Sequence, residues 1–231
     1  SHGEEYAAAW KNHLRWPLLT SNLGDQTEVD LSELAWVRRW FFSNRQGLET
    51  RLFAELRQRI ALLYKEWYGI DLSPERVVIT AGSSAGFLLS FISLFDTGDN
   101  VAIGDPGYPS YRNILKSLGL NPVRIETGAE TRFQPSQPHL EAADLQGLLV
   151  ASPANPTGTM LGRDALKDII DACAERNISF ISDEIYHGID YGTRAVSALE
   201  ISDDVYVINS FSKYFSMTGW RIGWMVVPQA H

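Results

Sequence analysis

The chain has 231 residues, 45% of them hydrophobic and 21% charged, an ordinary composition for a soluble globular protein with one large core, or one domain plus a small appendage. Its net charge of −8 argues against a nucleic-acid surface, which needs a basic stripe to displace counterions from phosphates. Cys173 is the only cysteine, which excludes an intrachain disulfide and a Cys-based zinc site, and no apolar run approaches the roughly 18 residues of a membrane span, so a cytoplasmic protein is expected.

Residues 1–45 read as an arm that packs on something rather than as an independent domain. Trp10, Trp16, Trp36 and Trp40 crowd this segment, together with Pro17 and a turn-like Ser21-Asn22-Leu23-Gly24-Asp25. Its opening, Ser1 to Trp10, has no basic region followed by an apolar core and so does not read as a secretion signal. From Leu48 the pattern sharpens: Leu52, Phe53, Leu56, Ile60, Leu63 and Trp67 recur at helical spacing until Gly69 ends the run.

Strand-like and helix-like segments then alternate. Short apolar runs predict strands over 76–80, 101–103, 123–126, 148–151, 178–182, 205–209 and 222–227. Amphipathic stretches predict helices over 84–95, 110–118 and 164–176. Apolar strands separated by amphipathic helices imply an α/β fold: a three-layer αβα arrangement whose mainly parallel sheet is covered on both faces. The expected organisation is an arm over 1–45 and one large domain over 46–231.

In open α/β sheets functional groups gather in the loops beyond the carboxyl ends of the strands. Here those loops are Ala81-Gly82-Ser83-Ser84, Gly104-Asp105-Pro106-Gly107-Tyr108, the stretch 152–159, and Asp183-Glu184-Ile185-Tyr186. They are the least generic stretches in the chain. Lys213 follows a buried strand, sits beside Ser210 and Ser212, and precedes Met217-Thr218-Gly219-Trp220-Arg221-Ile222-Gly223. A lysine that forms an imine must be held out of bulk water beside a cation or in an apolar pocket, so that its free amine is available. Arg221 and the Ser210 hydroxyl could hold a phosphate, the arginine through its planar fork of donors.

The sequence resembles the fold-type I enzymes dependent on pyridoxal 5′-phosphate (PLP), specifically the class I/II aminotransferases. Four motifs carry the resemblance: Ser210-Phe211-Ser212-Lys213 with 217–223, Ser152-Pro153-Ala154-Asn155-Pro156-Thr157-Gly158, Ser182-Asp183-Glu184-Ile185-Tyr186, and Asp105-Pro106-Gly107-Tyr108-Pro109-Ser110-Tyr111. They stand in the family's order across roughly residues 48–228.

The resemblance implies a role for each matching position. Lys213 would form the aldimine (Schiff base) with the cofactor and later move a proton at the substrate's α carbon. Asp183 would pair with the pyridine nitrogen and keep it protonated, which makes the ring an electron sink. Asn155 and Tyr186 would donate hydrogen bonds to the ring's phenolic oxygen, and Tyr108 would stack on its face. Gly82, Ser83, Ser84, Ser210 and Arg221 would cradle the phosphate, where the start of a helix offers free N–H groups. The expected partners are an amino acid and a 2-oxo acid, and a homodimer is implied, with the aromatics of 1–45 suited to its interface. His187 is a neighbour of this chemistry rather than a participant. No two histidines stand at metal-ligand spacing, so no metal is expected.

Ser83-Ser84 as plain helix N-caps, a plain turn at 155–158, surface packing at Tyr108, and Asp183-Glu184 as a solvated strand end or a helix cap are the bland readings of the same residues. A magnesium-dependent ATPase is excluded because no Gly-x-x-x-x-Gly-Lys-[Ser/Thr] accompanies the strand ending in Asp183-Glu184, and a dehydrogenase because no Gly-x-Gly-x-x-Gly follows the first strand. Other PLP reactions use the same residues: a β- or γ-lyase, a decarboxylase or a cyclase. A non-catalytic PLP-binding fragment is a further alternative, since the family pattern continues into a smaller domain bearing an arginine for the substrate carboxylate, whereas this sequence stops at His231.

Overall fold

The computed structural model describes residues 45–141 and 144–229, so the arm expected over 1–45 falls outside the described residues but for its last position. The elements are α1 (Arg45–Tyr68), β1 (Val77–Thr80), α2 (Ser83–Leu94), β2 (Asn100–Asp105), α3 (Pro109–Ser117), β3 (Asn121–Glu126), β4 (Gly147–Ala151), α4 (Arg163–Glu175), β5 (Ser179–Asp183), β6 (Tyr206–Ser210) and β7 (Gly223–Val226). Gly69 takes a φ of +74° where α1 stops, a conformation that glycine reaches without steric cost.

The seven strands form one sheet in the order β1-β7-β6-β5-β4-β2-β3. Strands β3, β2, β4, β5 and β6 pair in parallel, while β7 runs antiparallel to both β6 and β1. The mainly parallel sheet is therefore as expected, with one reversed strand set between two others.

Alternation along each strand divides the core in two. Ala102, Leu148, Val150, Phe180, Val207, Trp224 and Val226 point to one face and pack with Ile60, Ala61 and Tyr64 of α1 and with Leu166, Ile169 and Cys173 of α4. Val101, Ile103, Leu149, Ile181, Ile208 and Met225 point to the other and pack with Phe87, Phe91 and Phe95 around α2 and with Tyr111 and Leu115 of α3. Helices thus cover both faces, which is the three-layer arrangement that continuous apolar strands demand. The apolar stripe of α1 is shorter than its sequence pattern predicts. Leu52 and Phe53 are exposed, because the side of the helix that meets the core begins at Leu56.

Trp224 ties these layers together. It is fully buried, and its indole Nε1 lies 3.3 Å from the Tyr64 hydroxyl, joining the reversed strand to α1. Trp224→Ala is expected to lower stability by about 3–5 kcal/mol through the lost contacts and the cavity left behind, read as a lower midpoint in urea unfolding.

Candidate active site

Because β7 is antiparallel to β6 and β1, its first residue lies at the edge of the sheet where those strands end. Gly223 is in register with both Thr80 and Ser210. One edge therefore gathers the turn Gly82-Ser83 after β1, Ser210 at the end of β6, Asp183 at the end of β5 and the loop that leaves β4. The close approach requires Gly223: a Cβ there would stand 2.7 Å from the Gly82 carbonyl carbon and 2.9 Å from both the Asn209 oxygen and the Ser83 nitrogen.

At the Gly82 end the donors point outward. Gly82 is the N-cap of α2 with φ +80°, and no side chain caps the helix, so the bland reading of a serine cap is corrected. Ser83 and Ser84 lie within the first turn, whose leading N–H groups are open to an anion. The Arg221 guanidinium packs directly on Gly82, where a Cβ would come 3.0 Å from Cζ. Arg221 itself adopts φ +52°, uncommon for a residue with a side chain and of a kind that recurs at functional sites. The Ser210 oxygen accepts a bond from Ser212 N at 3.1 Å, which leaves its own proton free to donate.

Asp183 marks the other end. It is 4% exposed, and burial pushes its carboxyl up from 3.8 to about 6. Two hydrogen bonds act against that rise, one from the Tyr111 hydroxyl to Oδ2 and one from Ile185 N to Oδ1 at 3.0 Å. Tyr111 is buried, and burial and Asp183 together raise its own pKa, so the phenol keeps the proton that it donates. Its ring meets Tyr108 edge-on at 5.4 Å and Phe87 at 5.1 Å. Sequence reasoning placed Tyr111 only within a motif and missed this contact. The available signal was its spacing, one helical turn after Tyr108 on a helix begun by Pro109.

On the side of Asp183 toward β4, Asn155 Nδ2 lies 3.5 Å from the Tyr186 hydroxyl, so the loop after β4 and the turn after β5 converge. The Lys213 ammonium stands 5.5 Å from the Tyr186 ring centre. Lys213 is exposed, so the shielding from water that its expected chemistry needs is not supplied by the described residues alone. Tyr108 is 39% exposed, leaving a ring face free to stack. The predicted residues therefore gather at one edge of the sheet: an uncapped helix with an arginine and a hydroxyl beside β1, β7 and β6, a buried carboxylate at the end of β5, and amine, amide and phenol groups in the neighbouring loops. That donor set suits a flat heteroaromatic ring with a phosphate on one side and a basic nitrogen on the other.

Comparison with known proteins agrees with this chemistry. The family model described as aminotransferase class I and II matches residues 41–231. Over 190 residues the chain is 50% identical to a valine–pyruvate aminotransferase of Mycobacterium tuberculosis, covering 80% of this chain and 49% of that protein. A solved aminotransferase structure from the same organism superposes with a TM-score of 0.74 at 49% identity, covering 77% of this chain and 50% of the other. The alanine aminotransferase of Pyrococcus furiosus gives a TM-score of 0.71 at 33% identity, with 76% and 47% covered. The chain spans about half the length of the curated relatives it matches.

The strained carboxylate has a measurable signature. An acid whose pKa is higher folded than unfolded binds its proton more tightly when folded. Ionised Asp183 therefore costs stability above about pH 6, and the cost fades as pH falls from about 6 through 3.8. Asp183→Asn is expected to raise the urea midpoint of the cofactor-free chain at pH well above 6, with the gain shrinking to nothing in acid. A gain independent of pH would show that the carboxyl is not shifted upward.

Proposed function

Because the chain belongs to the class I and II aminotransferases, we propose that residues 46–231 form a PLP-binding large domain that works in moving an amino group from an amino acid to a 2-oxo acid. The observation that carries this reading is the pairing of a buried carboxylate at Asp183 with the Gly82–Arg221 anion cradle along one edge of the sheet. Bound there, the cofactor supplies an aldehyde conjugated to a protonated ring that accepts electrons.

The residues divide the work by their chemistry. Arg221, the Ser210 hydroxyl and the first N–H groups of α2, at Ser83 and Ser84, bind the phosphate. Asp183, with its carboxyl at about 6, is ionised at neutral pH and holds a proton on the ring nitrogen. Tyr111 and Ile185 N keep that carboxylate oriented. Tyr108 supports the ring face, and Asn155 and Tyr186 donate to the phenolic oxygen. Lys213 would supply an amine for the cofactor's aldehyde and a base able to move a proton at the substrate's α carbon.

The named relatives are aminotransferases, which favours amino transfer over lyase, decarboxylase or cyclase chemistry and over a non-catalytic role. The valine–pyruvate enzyme makes valine with pyruvate the first pair to try. The reading extends to a cytoplasmic homodimer, the arrangement that the family resemblance implies. Among the described residues no helix is long and apolar enough to cross a membrane.

PLP added to the protein is expected to produce a visible absorbance band that borohydride abolishes and that Lys213→Ala lacks. Arg221→Ala is expected to weaken PLP binding by about tenfold to a hundredfold, the range for a charge-assisted hydrogen-bonding group. A normal band in Lys213→Ala would refute the assignment.

A further inference from the structure

Behind the Asp183–Tyr186 turn lies a buried polar cluster to which the cofactor reading gives no task. His187, 2% exposed, has its Nε2 2.8 Å from the Ser152 carbonyl oxygen and its Nδ1 2.7 Å from the Tyr68 hydroxyl. A carbonyl can only accept, so Nε2 carries the ring hydrogen. Tyr68 then donates to the bare Nδ1. Burial, and after it the Glu184 carboxylate, push the Tyr68 pKa up, so the hydroxyl keeps its proton. Glu184 has Oε2 3.6 Å from Nδ1, but its carboxylate already accepts from the Ser182 and Ser197 hydroxyls and from Ala198 N. The other charged groups facing the cluster are Asp183, Glu200 and Arg194, the last with its guanidinium 5.0 Å over the Tyr68 ring.

The cluster joins the segments that carry two of the proposed cofactor contacts. Ser152 opens the loop bearing Asn155, and His187 directly follows Tyr186. Their bond therefore fastens the loop after β4 to the turn after β5, where Asn155 and Tyr186 stand 3.5 Å apart. The next residue, Gly188, is wedged between α1 and the neighbour of Lys213. At φ +85°, a Cβ there would come 2.8 Å from Trp67 Cη2 and 2.6 Å from Tyr214 Cδ2. Trp67 meets Tyr214 edge-on at 5.0 Å. Trp67 and Tyr68 thus grip this turn from two sides.

We propose that His187 is a positioning residue: through the Ser152 carbonyl and the Tyr68 hydroxyl it sets the spacing of Asn155 and Tyr186 at the cofactor's phenolic oxygen. The inference rests on the PLP reading above. That oxygen is conjugated with the carbon that Lys213 joins, so displacing its two donors changes the visible spectrum and its response to pH. A histidine that only filled the core would leave both unaltered once the protein had folded.

The test uses the full chain loaded with PLP and measures the dissociation constant and the pH midpoint of the visible band. His187→Phe removes the donor to Ser152, and is expected to bind PLP about tenfold more weakly, the worth of one hydrogen bond to the phenolic oxygen lost as Asn155 and Tyr186 shift, and to move the midpoint. His187→Gln keeps an N–H within reach of Ser152 and is expected to return both values toward those of the unmodified protein. Tyr68→Phe is expected to shift the midpoint in the same direction by less. Unchanged affinity and midpoint in folded His187→Phe overturn the inference, as does a Gln variant no better than Phe. Should His187→Phe fail to fold, an unchanged midpoint in Tyr68→Phe overturns it. A protein with no visible band at all overturns the cofactor reading and this inference with it, whereas a band that the variants leave unchanged overturns this inference alone.

Discussion

A carboxylate buried at the end of a central strand is the constraint around which the rest of this edge is arranged. Taking a charged group out of water is expensive unless hydrogen bonds replace the lost solvent. At Asp183 the replacement is partial: two donors reach it, and burial still lifts its carboxyl to about 6. The donors come from separate places, Tyr111 from α3 and Ile185 from the turn after β5. The helix that presents Tyr108 is consequently tied to the strand that presents Asp183. A bound ring with a cationic nitrogen would complete what the protein leaves unfinished, which is how a site stores affinity for its ligand at the cost of its own stability.

The opposite end of the site follows another rule. There the useful groups are backbone N–H donors, and they stay available because no side chain caps α2. Glycine is needed at Gly82 and Gly223 because neighbouring groups lie where a Cβ would go: the Arg221 guanidinium at the first, and backbone at the second. The chemistry is thus divided between a side-chain carboxylate that must be sheltered and a cluster of N–H groups that must be left open.

Much of this was legible in the sequence, for identifiable reasons. Strands buried on both faces leave apolar runs, and each of the seven strands lies where such a run predicts it. Their ends were less visible. The run containing Phe180 and Ile181 stops before Asp183, yet the ladder continues, pairing Ala151 with Asp183. Hydropathy ends where polar residues begin, whereas backbone pairing does not depend on side-chain polarity. Likewise the motif loops singled out candidate residues that share one edge of the sheet, but not the Tyr111–Asp183 bond, which joins positions brought together only by the packing of α3 on the sheet. His187 was expected beside the candidate site, but its hold on Ser152 depends on how two strand ends align. The exposure of Lys213 ran against expectation, since spacing reveals neighbours along the chain and not the cover above them.

The reversed strand has a consequence for the order of assembly. Among the described residues β1 has no partner within its own half of the chain: Val77 pairs with Val226, and β7 joins it to the rest of the sheet. Pairings so distant form late, because a long loop must close before any contact repays it. The anion cradle is made from the same distant pieces, with Gly82 and Ser83 on one side and Arg221 and Gly223 on the other. On the proposed reading, a growing polypeptide would acquire its phosphate-holding capacity only when β7 has inserted between β1 and β6, so that a ligand held there reports the pairing of those three strands.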